Sequence, residues 1–181
     1  MAKRFGKMVA PFVARHEPRV GFRLNLKHGV GAFFAILVLG YLLDSTGLPL
    51  LIAPFGASTL LLFGRPSSPL AQPANLIGGY LIGATTAFIS AALFPGVLWA
   101  TASSLGLALM LMSLLRVTHP PAGAIPLIAF ADPVEIMTVI GAVVVGSIAM
   151  TILAVLYHRI PPRQPYPCGT TENQTRCETD E

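Results

Sequence analysis

Apolar residues run along this chain in long blocks, not in the alternation of a strand or the one-sided stripe of a soluble helix. Residues 29–43 are apolar and close on Asp44-Ser45-Thr46-Gly47. Residues 48–63 are apolar but interrupted by Pro54 and Gly56. A loop over 64–73 holds Pro66, Pro69 and Pro73, and then 74–94 runs apolar to the Pro95-Gly96 turn. Residues 97–115 end at Arg116. Residues 118–131 are broken by Pro120, Pro121 and Pro126 and close on Asp132 and Pro133. Residues 134–157 form the last block, before His158 and Arg159. A membrane-crossing helix needs about 20 such residues. The block at 29–43 is short for this, so Lys27 and His28 are expected to snorkel at its start.

The order long block, interrupted block, long block occurs twice, over 29–94 and 97–157. Pro54-Phe55-Gly56-Ala57 aligns with Pro121-Ala122-Gly123-Ala124. The pattern predicts an all-α integral membrane protein, a helical bundle with two broken, discontinuous segments. If every block crosses, each half crosses three times and the halves form an inverted repeat. The alternative is four spans plus two re-entrant loops. Positive charge collects on the cytoplasmic side of membrane proteins. Six crossings put Arg65, Arg116, Arg159 and Arg163 on the side of the basic N-terminus, with Asp44, Asp132 and Glu135 opposite. Four spans put Arg65 and Arg116 outside, so charge favours six. An extended stretch from Thr118 to Ala122 helps the short fifth block to reach across. Gly78, Gly79, Gly83 and Ala87 give the third block a small-residue face for close packing.

Charge and composition narrow the class. The chain is 54% hydrophobic and 11% charged, whereas soluble domains carry about 25% charged residues. Lys3, Arg4, Lys7, Arg15, Arg19, Arg23 and Lys27 all precede the first block. Residues 1–28 therefore read as a basic cytoplasmic arm on anionic lipid, with 12–26 as an amphipathic surface piece and no nucleic acid as partner. The domain at 29–158 holds the membrane part. Residues 159–181 read as a polar, disordered cytoplasmic tail. No cleavable leader is expected. The expected location is a bacterial inner (plasma) membrane with both termini cytoplasmic. Cys168 and Cys177 match no metal spacing; no metal and no cofactor are expected. A chain this small encloses a pathway more readily as a homo-oligomer.

Thr118-His119-Pro120-Pro121-Ala122-Gly123-Ala124 resembles the signature of the HPP family of integral membrane proteins. Ala53-Pro54-Phe55-Gly56-Ala57-Ser58 and Ser68-Pro69-Leu70-Ala71-Gln72-Pro73 resemble that family's recurring stretches. The resemblance implies four transmembrane helices, against the six that charge favours. Some plant-chloroplast and cyanobacterial members transport nitrite, so it also implies a small inorganic anion as substrate.

The residues themselves suggest how. Helices restarting after Pro54 and after Pro121 present free N–H groups and the positive ends of their dipoles. Two such ends meeting in mid-membrane make an anion site without a full charge. The candidate binding residues are His119, Pro120, Pro121, Gly123, Pro54, Gly56, Ser58 and Thr59. Arg65, Ser68, Gln72 and Asn75 are weaker candidates for a pathway mouth; they equally suit a topology signal and helix caps. His119 supplies a hydrogen bond or a proton to substrate, or only satisfies a carbonyl exposed by the prolines. Gly56 and Gly123 equally suit tight packing. His28 and His158 read as interfacial. An enzyme is not expected, because no carboxylate is placed to orient His119. The reading is a transporter or channel for a small anion, nitrite foremost. The alternatives are a pore for a small neutral solute and a non-transporting membrane scaffold subunit.

Overall fold

The computed structural model describes residue 14 and residues 19–48, 52–131 and 135–168. Among them are six helices and no strand: α1 (Phe22–Asp44), α2 (Ile52–Gly64), α3 (Pro73–Leu93), α4 (Leu98–Leu114), α5 (Ile125–Ala131) and α6 (Ile136–His158). Short 3-10 turns at Pro69–Ala71 and Pro120–Ala124 lead into α3 and α5. Three helices are long and apolar enough to cross a membrane: Phe22–Asp44, Pro73–Leu93 and Met137–His158.

Two boundaries differ from the sequence expectation. The first helix begins at Phe22, seven residues before the apolar block, so 22–28 belong to the bundle and not to a separate arm. Lys27 does not snorkel outward. It is buried, and its ammonium donates to the carbonyls of Ile160 and Pro162 at 2.7 and 2.5 Å and lies over the Tyr157 ring. The polar tail is also packed at its start. Tyr166 is buried, and its hydroxyl donates to the Ala71 carbonyl at 3.0 Å, while the Cys168 N–H donates to Gln72 Oε1 at 2.8 Å. Burial pushes the Tyr166 phenol up, so it stays a donor. The expectations for Lys3, Arg4, Lys7, Arg15, Asp132, Cys177 and 169–181 fall outside the described residues.

Helix ends follow local chemistry. The Ser45 and Thr46 hydroxyls donate to the Leu42 and Leu43 carbonyls at the end of α1, and Gly47 takes the left-handed conformation at φ 70°. At the end of α4 the Arg116 N–H reaches the Ser113 carbonyl and the Val117 N–H reaches that of Met112. That is the pairing of a Schellman end, whose left-handed position glycine usually holds. Here Arg116 holds it at φ 57°. In α2, Pro54 occupies the first turn, where its missing N–H costs nothing. The helix then runs on through Gly56, so the expected break at these two residues is not inside 52–64.

Glycines decide where the helices touch. A Cβ at Gly31 would lie 2.5 Å from the Tyr157 ring and 2.6 Å from Phe63, which seats α6 and α2 on α1. Gly146 of α6 takes the Phe55 ring. On α3, a Cβ at Gly79 would lie 2.5 Å from His119 Cβ, and one at Gly83 would lie 2.6 Å from the Ala122 carbonyl oxygen. The α3 face therefore carries the 117–122 segment.

These ties sort the helix ends. Lys27 with Ile160, His158 with the Leu62 carbonyl, Tyr166 with Ala71 and Asn75 with the Thr118 carbonyl gather at one end. Arg65, Arg116, Arg159 and Arg163 belong to the same segments, and this is the basic end. Asp44, the 94–97 turn and Glu135 lie at the opposite end, because α1 and α3 each run one helix length away from it and α6 starts one helix length before it.

Candidate functional site

His119 precedes Pro120, and a residue before proline is held out of the helical region. It is extended at φ −135° and ψ 95°, between the end of α4 and the 3-10 turn of Pro120–Ala124. Gly79 lets its backbone lie against α3. The ring then points at two other segments. Nδ1 lies 2.9 Å from the Leu70 carbonyl, within the turn that precedes α3. Nε2 lies 2.7 Å from Ser58 Oγ in the second turn of α2, and Ser58 Oγ lies 2.8 Å from the Tyr80 hydroxyl of α3. The Tyr80 ring packs between Phe55 and His119, at centroid distances of 4.8 and 5.4 Å. Ser58, Tyr80 and His119 have no solvent exposure.

The donors and acceptors order themselves. A carbonyl only accepts, so His119 Nδ1 carries the proton. In the neutral ring Nε2 accepts from Ser58, and Ser58 in turn accepts from Tyr80. The row is Tyr80 to Ser58 to His119 to Leu70, with each buried polar group of the row paired. It ties together the three proline-bearing stretches that the sequence singled out, at 53–58, 68–73 and 118–124, and the helix α3.

The remaining candidates are more dispersed. Thr59 donates back to the Phe55 carbonyl at 2.8 Å within its own helix. Pro54 is buried in the first turn of α2; Gly56 is half-buried, and a Cβ there would meet nothing within 4 Å, so Gly56 is not a packing seat. Gly123 is half-buried against Leu105 alone. Pro120 is exposed and Pro121 half-buried. The mouth candidates are tied to backbone. Ser68 Oγ accepts the Leu70 N–H at 3.3 Å and so caps the 3-10 turn. Gln72 Nε2 donates to the Pro66 and Ser68 carbonyls, and Asn75 Nδ2 donates to that of Thr118. Arg65 is half-buried at the basic end. What meets His119 is the hydroxyl of Ser58, itself a candidate, one turn inside α2 and not the first-turn N–H groups. His158, expected at an interface, is buried on the Leu62 carbonyl at 2.8 Å.

Sequence reasoning missed Tyr80. Its signal is the Gly78-Gly79-Tyr80 run inside an apolar span, because a buried tyrosine hydroxyl needs a partner. The Ser58–His119 distance also suits a nucleophile and base. The group orienting the base is, however, a neutral carbonyl, and Ser58 is closed on every side. Among the described residues no group of His, Cys, Asp or Glu is arranged to hold a metal ion.

The family model described as HPP, transmembrane region, matches residues 17–167. The chain is similar to a transmembrane protein of Dictyostelium discoideum, 31% identical over 125 residues, which are 65% of this chain and 40% of that protein. It is also similar to a second transmembrane protein of the same organism, 30% identical over 151 residues, 76% of this chain and 53% of the other. The chain thus spans about half the length of these relatives, or less. No solved structure matches.

Proposed function

The chain belongs to the HPP family of integral membrane proteins, and from that premise we propose that it is a transporter or channel for a small inorganic anion, nitrite foremost. The observation that carries the proposal is the Tyr80–Ser58–His119 row, fully buried and built of uncharged groups from three segments. When those segments part, two hydroxyls and an imidazole face each other across the opening. Such donors bind an oxygen-bearing anion firmly enough to admit it and loosely enough to release it. Substrate sites near mid-membrane at discontinuous segments are a recurring transporter design.

The same reading makes the protein cross the membrane six times in two inverted halves, with the basic end cytoplasmic. It places the protein in an inner or plasma membrane, working alone or as a homo-oligomer. Among the described residues the central polar groups are all uncharged, and this favours a second reading, a pore for a small neutral solute.

The test is flux into proteoliposomes with nitrite, nitrate, formate, chloride and glycerol, run well above the pKa of nitrous acid because the acid crosses bilayers unaided. Nitrite entry above the leak of empty vesicles, competed by other small anions and altered by His119→Ala, supports the anion reading. Glycerol entry alone supports the neutral pore. Leak-level entry of every solute through verified folded protein overturns transport.

A further inference from the structure

At the end opposite the basic one, α3, α4 and α5 leave a cavity of about 20 Å³. Ser90, Thr101 and Ser104 line it together with Phe94, Pro126 and Phe130, and no lining residue is charged. Ser104 is only 4% exposed, yet its Oγ has no hydrogen-bond partner. Elsewhere in these helices the hydroxyls of Thr59, Thr85, Thr86 and Thr151 fold back onto the carbonyl four residues earlier. That bond is the usual way for a helical serine or threonine to satisfy itself. Ser104 forgoes it and lies at the cavity, and a buried hydroxyl left without a partner in a native protein calls for a ligand or a water.

We infer that this cavity is a binding station for a small oxygen-bearing solute, with the Ser104 hydroxyl as its seat. The volume holds one water-sized group, so one oxygen of the solute occupies it while the rest faces the open side near Gly96. Hydroxyls donate and accept, and the walls carry no charge. The station therefore takes neutral or singly negative molecules and rejects strongly hydrated ions. Its position matters as well. Ala87 in the lining lies one turn beyond Gly83, which packs on Ala122, and the central row lies below that contact. The station is stacked over the Ser58–His119 closure on the same face of α3. As a stop on a path it rests on the transport reading; as a binding site it does not.

The test uses the full chain in detergent and in proteoliposomes, with nitrite and formate as singly charged probes and glycerol and urea as neutral ones. At least one probe is expected to raise the melting temperature of the unaltered protein in a saturable way. Ser104→Ala is expected to weaken that effect at least tenfold in probe concentration. Ser104→Cys, which keeps the size with a weaker donor, is expected to fall between and covers the case in which the alanine variant does not fold. Which probes act separates an anion station from a neutral one. A shift that no probe produces, or one unchanged in both Ser104 variants, overturns the station. Leak-level flux beside a Ser104-dependent shift keeps the station and removes the path; flux above leak that both Ser104 variants leave unchanged keeps transport and takes the station off its path.

Discussion

Replacing Ser58 by alanine is the most telling perturbation of the central row. The single hydroxyl of Ser58 takes a bond from Tyr80 and gives one to His119. Ser58→Ala strands the Tyr80 hydroxyl and His119 Nε2 together. Each stranded buried group costs about 1–3 kcal/mol, so the loss is about 2–6 kcal/mol. Tyr80→Phe is different. It keeps the ring between Phe55 and His119 and leaves Ser58 donating to His119, so only one bond goes, about 0.5–1.5 kcal/mol. With Tyr80 already phenylalanine, Ser58→Ala strands His119 alone. The double variant should therefore cost less than the sum of the singles by about 1–3 kcal/mol. Equilibrium unfolding in mixed micelles of rising dodecyl sulfate content, followed by circular dichroism, measures all three. The order of donors is refuted if Tyr80→Phe costs as much as Ser58→Ala. That outcome means Ser58 donates to tyrosine, and the histidine donates at both nitrogens. Strictly additive costs would refute the row itself.

Three further outcomes are expected. Arg116→Gly should stabilise the protein by about 1 kcal/mol, since glycine adopts the left-handed position that Arg116 holds under strain; the same micelle titration reads it. Gly83→Val should destabilise by about 3 kcal/mol because its Cβ would meet the Ala122 backbone, whereas Gly56→Ala, with open space around it, should be neutral or stabilising by about 0.5–1 kcal/mol. With Cys168 and Cys177 replaced, a cysteine at Glu135 should react with an impermeant thiol reagent added outside and one at Ser67 should not; labelling of both from outside favours four spans.

Much of the helix plan was legible because lipid-compatible blocks and their breakers are properties of contiguous sequence. The 95–96 turn, the break at 118–124 and the small-residue face of α3 are all local signals. His119 stood out because an ionisable group inside an apolar block is expensive wherever it folds. What escaped depends on distant partners. Arg23 and Lys27 make 22–28 read as part of a basic arm on the membrane surface, yet Lys27 is buried because the chain near Ile160 and Pro162 turns its carbonyls toward it. The packed stretch up to Cys168 is polar in composition, and only its bonds to Ala71 and Gln72 give it a place. At Pro54 and Gly56, where the sequence suggests a break, the helix runs uninterrupted over 52–64. Proline in a first turn starts a helix as readily as it stops one, and only the position of that first turn distinguishes the two.

The packed end of the chain and the central row are parts of one mechanical system. Leu70, whose carbonyl fixes the His119 tautomer, sits in the 3-10 turn of Pro69–Ala71. Tyr166 grips Ala71 in the same turn, and Gln72, the next residue, is held by the Cys168 N–H. His158 ties α6 to α2 at Leu62, one helical turn from Ser58. Both partners of the imidazole are thus positioned from the basic end. The Tyr166–Ala71 and Cys168–Gln72 bonds hold the Leu70 carbonyl's turn just after Leu70, and Ser68 and Pro66 hold it from the other side. Lys27 fixes the start of 160–168 in turn, because its ammonium has its carbonyl partners at Ile160 and Pro162.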